Sequence, residues 1–138
     1  RQTNADHQWG VAALCLVLHP DPSLALLRAC LLHDCGEVAP YGPGDISWSA
    51  KQNHPALADA AIEAESDARN RMGCGLLMLR LDEHGWLEML DRLESVRFVG
   101  LREPQLLEHD EWQAVIRGIM CAAQTLDVED KVMEVLNG

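Results

Sequence analysis

The chain has 138 residues, carries a formal net charge of −11, and is 48% hydrophobic with only 4% aromatic residues. At this length one core is expected, burying roughly two thirds of the unfolded surface without staples. The charge argues against nucleic-acid polymers and anionic lipid as partners, and it admits an anionic small substrate only where a metal ion or a few local Arg and Lys residues reverse the sign.

The apolar residues are mostly Leu, Ala and Val, which favours helices over sheets, so the fold class is all-α. The spacing predicts a first helix capped by Asn4 or Asp6 and running to about Leu18, with Val11, Leu14, Cys15 and Leu18 on one stripe. His7 lies on that stripe. After "HPDPS", Asp21 with Pro22 at the first helical position predicts a second helix, apolar nearly all round through Leu24, Leu27, Cys30, Leu31 and Leu32, as befits the middle of a bundle. The segment "APYGPGDISWSAKQN" has two prolines and two glycines and reads as a loop of the length and position of a site rim.

Pro55 opens a helix to about Met72, ended by "GCG" and read as peripheral, with acids and arginines outward. From Leu76 to about Val99 the pattern is helical, with a kink or break expected near Gly85. Two further helices are predicted from about Asp110 to Gln124 and from Val128 to Leu136. No repeat or interdomain linker interrupts what reads as a single domain over 1–138. The chain begins at Arg1 and not Met, so a segment upstream is expected.

Five cysteines, at 15, 30, 35, 74 and 121, are odd in number and scattered without a CxxC pair. They read as small buried hydrophobes in a reducing, cytoplasmic setting. No apolar run approaches the roughly 18 residues of a membrane span, and no signal peptide is visible.

Chemistry concentrates in "LLRACLLHDCGEVAPYGPGDISW", where an apolar helix runs into His33, Asp34, Glu37 and Asp45. On a continuous helix His33 and Glu37 share a face, while Asp34 projects about 100° away. A buried carboxylate without a partner loses several kcal/mol of solvation, and a divalent cation supplies that partner. Imidazole nitrogen and carboxylate oxygen together suit Zn, Mn, Fe, Co or Ni, with one more His and one more carboxylate completing the shell. Of the remaining histidines, His19 and His54 precede prolines in loops, and His84 and His109 sit in charged surroundings. His7 differs, because antiparallel packing of the first two helices brings it beside His33. On pattern alone, a core histidine and a ligand are level there.

The pieces "RQTNADHQWGVA", "LLHDCGE", "GDISWSAK" and "MLDRLE" occur in the order found in the HD-domain phosphohydrolases. Across residues 1 to about 99 the chain resembles most the branch with the bacterial 5′-deoxynucleotidases, whose site is built from an "EHS" helix, an "HDxxE" helix, a "GD…K" loop and a late "AD" helix. The resemblance implies an HD-domain helical bundle with one divalent transition metal ion held by His7, His33, Asp34 and Asp91. It assigns Glu37 and Asp45 to the neighbourhood of the scissile phosphate, where either carboxylate can orient water or collect its proton. Arg1 and Lys51 are the cations expected on phosphate oxygens, and Trp9 or Trp48 can stack on a base, although tryptophans in a small helical domain more often pack in the core. A homo-oligomer is also implied.

Two departures bear on substrate. "PYGP" lengthens the gap from HD to the loop aspartate, and the Arg-Trp element that precedes the first His helix in deoxynucleotidases is absent. The expected activity is hydrolysis of a small 2′-deoxyribonucleotide, most simply a 5′-monophosphate to nucleoside and phosphate. The alternatives are a deoxynucleoside triphosphate triphosphohydrolase of the small phage dATP-cleaving type and a non-catalytic metal-binding helical module. No GYP-type signature or second-metal histidine pair supports a cyclic-nucleotide or stringent-response phosphodiesterase.

Overall fold

The computed structural model describes residues 2–39, 42–44, 46, 48–73 and 79–138, with the backbone alone at 48 and 49. Arg1, Asp45, Cys74 and the side chain of Trp48 therefore lie outside the described residues. In chain order the helices are α1 (Asn4–Leu18), α2 (Leu24–Leu32), α3 (Cys35–Val38), α4 (Trp48–Asn53), α5 (Pro55–Arg71), α6 (Leu81–Arg102), α7 (Asp110–Thr125) and α8 (Glu129–Asn137), with a 3₁₀ segment at Pro104–Glu108. Among the described residues there is no strand, and the fold is all-α. No helix among them is long and apolar enough to cross a membrane.

The spine is α6. Its Trp86, Met89, Leu90, Leu93 and Val96 recur at helical spacing and are all buried, so one stripe faces α1 and α2 and continues onto α7 and α8. These neighbours contribute Val11, Leu14, Cys15 and Leu18 from α1, Leu26 and Cys30 from α2, Ile119 and Ala123 from α7, and Val132 from α8. Cys15 and Cys30 are free thiols packed in this core, as small hydrophobes would be, whereas Cys121 is exposed.

The expected kink near Gly85 is absent, because α6 runs unbroken from Leu81. A helical glycine costs up to about 1 kcal/mol, which burial of Trp86, Met89 and Leu90 just beyond it outweighs. The helix also starts later than residue 76, where the Arg80 backbone N–H donates to Glu83 Oε2 at 2.8 Å.

Two caps differ from expectation because the capping oxygen belongs to the residue immediately before the first helical turn, neither inside the helix, as Asn4 and Asp6 are, nor further upstream, as Asp21 is. Thr3, not Asn4 or Asp6, caps α1, its Oγ1 accepting from the Asp6 N–H at 3.1 Å. Ser23, not Asp21, caps α2 by accepting from Leu26 N–H at 3.1 Å, and its own hydroxyl donates to Glu83 Oε1 at 2.5 Å, tying the start of α2 to the start of α6. The stretch read as a loop through residue 53 also closes with the short helix α4, which packs on α5.

Candidate metal centre

The loop from His19 to Ser23 reverses the chain, so the first turns of α1 lie beside the last turn of α2. The rings of His7 and His33 meet edge to face with centroids 5.4 Å apart. α2 ends at Leu32, one residue before the HD pair. Asp34 leaves helical geometry at φ −94°, ψ 0° and stands at the N-terminal end of the following α3 without a side-chain capping bond. His33 and Glu37 thus do not share the face of one helix, as their spacing suggested, and the break is what turns Asp34 toward the same point as His33.

Three contacts hold this break. With its amide turned so that both groups are satisfied, buried Gln8 donates to Leu31 O at 2.9 Å and accepts from the Cys35 N–H at 3.2 Å, spanning the end of α2 and the start of α3. Arg69 Nη1 donates to His33 O at 2.9 Å. Gly36 lets α3 lie directly on α5, since a Cβ there would fall on the Glu65 carbonyl, 2.8 Å from its carbon and 2.9 Å from its Cα. The α5 helix packs on α3 and α4 and adds nothing to the main core, as a peripheral helix would, yet its Glu65 and Arg69 face the HD turn.

His7 Nε2 stands 2.9 Å from Asp91 Oδ1 and 3.6 Å from Asp34 Oδ2. His33 Nε2 stands 3.4 Å from Asp34 Oδ2 and 3.6 Å from Asp91 Oδ1. Donor atoms bound about 2.1 Å from one cation at tetrahedral or octahedral angles are roughly 3.0 to 3.4 Å from each other, close to this set of distances. His33 Nδ1 lies 3.0 Å from the Cys30 carbonyl, a contact that leaves Nε2 as the free lone pair, and that Nε2 is buried without a hydrogen-bond partner. An orphaned buried ring nitrogen aimed at two carboxylates is what a metal ligand looks like before the metal is considered. His7, His33 and Asp34 together can hold a metal ion.

The protonation pattern follows from the same proximity. Burial alone would lower the His7 imidazolium, but Asp91 and Glu94 more than reverse it and push the pKa up to about 10. His33 is likewise opposed by burial and raised on balance by Asp91 and Asp34. Burial raises Asp34, whereas for Asp91 the two histidines overcome burial and hold the carboxyl below its usual range. A cation entering here displaces protons from imidazole, so its binding strengthens as pH rises.

A cleft of about 290 Å³ opens beside His7 and Asp34, lined also by Gln2, Thr3, Asn4, Glu37 and Ser95. Glu37 is thus beside His7 and Asp34, as its assigned role requires. Lys51 Nζ lies 3.8 Å from Glu37 Oε1 and 3.4 Å from Glu65 Oε1, a placement adjoining the cleft. Trp9 is misplaced as a substrate contact: it is 71% exposed and lines a separate apolar groove with Val17, Leu101 and Met133. Two residues beyond His7, its side chain is turned by about 200° from the face that carries the imidazole. Arg1 and Asp45, the other two residues assigned to substrate and catalysis, fall outside the described residues.

His19 accepts from the Asp21 N–H at 3.1 Å and packs its ring at a tilt of 54° to that of Trp86, and His54 precedes the first turn of α5. Gln8, Glu65, Arg69 and Glu94 escaped the sequence reading; only the spacing of Glu94, three residues after Asp91 on one helix face, offered a signal. No family model matches the chain, and neither a curated protein nor a solved structure matches it.

Proposed function

We propose that this domain is a metal-dependent phosphohydrolase of small 2′-deoxyribonucleotides, releasing phosphate from a 5′-monophosphate. The observation that carries the reading is the convergence of His7 Nε2, His33 Nε2 and the Asp34 and Asp91 carboxylates, from α1, the α2–α3 turn and α6, with His7 and Asp34 of this group lining a polar cleft. These four side chains would hold one divalent transition metal ion. Bound there, such an ion supplies polarisation of a phosphoryl oxygen and a more acidic water.

The chain's own groups do the rest. Glu37, on the wall of the cleft, orients water for in-line attack or accepts its proton. Lys51 places a positive charge beside Glu37 and Glu65, which moderates the repulsion that a chain of net charge −11 would exert on a phosphate. Gln2, Thr3, Asn4 and Ser95 also line the cleft and offer neutral donors and acceptors suited to a sugar or phosphate ester. A cleft of about 290 Å³ is of the order of a small-molecule site. The deoxy preference rests on the resemblance of the four sequence motifs.

The test is a panel of nucleoside mono- and triphosphates incubated with Co²⁺, Mn²⁺, Zn²⁺ or Mg²⁺, with products resolved by chromatography. Nucleoside and orthophosphate from a 2′-deoxynucleoside 5′-monophosphate are expected. Release of tripolyphosphate from a triphosphate would replace the monophosphate with the triphosphate as substrate, and cation binding without turnover across the panel would leave a structural metal module.

A further inference from the structure

We infer that Glu94 is a positioning residue whose buried carboxylate fixes the His7 ring so that Nε2, and not Nδ1, is turned toward Asp34, Asp91 and His33. The inference rests on the metal-site reading above and adds to it a residue to which no sequence motif assigned a role.

Glu94 sits on α6 one turn beyond Asp91, so the two carboxylates address the same imidazole from one helix face. They take opposite edges of the ring: Asp91 Oδ1 is 2.9 Å from Nε2, and Glu94 Oε2 is 2.5 Å from Nδ1. Glu94 is itself only 7% exposed, and its second oxygen accepts a hydrogen bond from Gln2 Nε2 at 2.7 Å. A buried carboxylate held at both oxygens has little freedom to swing away, and the ring it grips inherits that rigidity.

The α1 backbone is shaped for this contact. Three residues after His7, Gly10 passes so close to Glu94 that a Cβ would lie 2.7 Å from its Cγ, 2.8 Å from its Oε1 and 3.0 Å from its Cδ. Glycine in a helix interior sacrifices stability relative to alanine, and here its bare Cα is what gives the carboxylate room. The two histidines thus share one design with different acceptors: Nδ1 of His33 is taken by the Cys30 carbonyl, and Nδ1 of His7 by Glu94. A partner on the far nitrogen sets which nitrogen is left for a metal and increases its basicity, and losing such a partner commonly costs 10- to 100-fold in metal affinity.

A plain salt bridge between α1 and α6 would produce the same static contact, so the test must separate orientation from charge. Co²⁺ affinity of the full chain, measured by competition with a chromophoric chelator, does this without any turnover assay. Glu94→Ala is expected to bind Co²⁺ about 10- to 100-fold more weakly. Glu94→Gln keeps an acceptor oxygen for the ring N–H and loses the charge, so it should restore affinity to within about fivefold of the parent. Gly10→Ala leaves Glu94 in the chain but crowds it, and should weaken Co²⁺ although alanine is the better helix former. His7→Ala is the reference. If it binds Co²⁺ as tightly as the parent, the metal-site reading itself fails. If it weakens binding while Glu94→Ala stays within about threefold of the parent, or if Glu94→Gln is as weak as Glu94→Ala, the positioning role is overturned. Should Glu94→Ala not fold, unchanged affinity in Gly10→Ala overturns it instead.

Discussion

Asp34→Ala is expected to abolish cation binding and turnover together, whereas Glu37→Ala is expected to keep the cation and lose about two to four orders of magnitude in kcat, the usual worth of a positioned acid or base. The separation follows from geometry. Asp34 Oδ2 stands within 3.4 and 3.6 Å of the two imidazole nitrogens, so removing it takes away one of the few donors in the cluster and leaves His33 Nε2 with one carboxylate neighbour in place of two. Glu37 lies on the cleft wall, and among the described residues it stands by Lys51 at 3.8 Å while the carboxylates beside the two imidazoles are those of Asp34, Asp91 and Glu94. Calorimetric titration with Co²⁺, run beside the hydrolysis assay, measures both quantities on each variant. Equal loss of metal in the two variants would mean that Glu37 is a ligand and that the division between holding the ion and moving the proton is wrong.

Gly36→Ala should unfold more easily than the parent by about 2 kcal/mol or more, and it should weaken cation binding at the same time. The sign is informative, because glycine to alanine inside a helix ordinarily stabilises by roughly 0.5 to 1 kcal/mol. Here the added methyl has no space: it meets the Glu65 backbone, which cannot rotate aside as a side chain could. α3 must then lift from α5, and the HD turn that leads into α3 moves with it. Chemical denaturation read by circular dichroism gives the first quantity, and the Co²⁺ titration gives the second. A variant as stable as the parent would show that α3 and α5 are not pressed together at Gly36.

Much of this architecture is legible in the residues. The α1 stripe of Val11, Leu14, Cys15 and Leu18 is buried as a 3.6-residue period requires, and α7 and α8 lie within a residue or so of their expected limits, because strong periodicity needs no tertiary information. The placement of His7 beside His33 followed from antiparallel packing of two helices joined by a short link. What escaped were features decided by contacts far apart in sequence. The stop of α2 at Leu32 depends on Gln8 and Arg69 reaching the carbonyls and N–H groups that the break exposes, and nothing local to "LLHDCGE" announces it. Gly85 read as a breaker because the stripe formed by Trp86, Met89 and Leu90 was not weighed against a single residue's propensity. The inward turn of Glu65 and Arg69 was hidden because α5 is rich in charge on every side, and only its packing on Gly36 says which of those charges faces the site.

Trp9 illustrates the converse error. It was expected to stack on a base, but two residues along a helix from His7 turn the side chain by about 200°, and Trp9 opens onto the apolar groove on the other side of α1. Helical phase, and not proximity in the motif, decides which neighbour of a ligand shares its site.

The most direct measurement is anomalous diffraction at the cobalt edge from crystals of the chain loaded with Co²⁺. The account predicts one strong peak about 2.0 to 2.3 Å from His7 Nε2, His33 Nε2 and an oxygen each of Asp34 and Asp91, with Glu94 on the far side of the His7 ring. A peak elsewhere, or one that leaves His7 or Asp91 out of the coordination sphere, would contradict it.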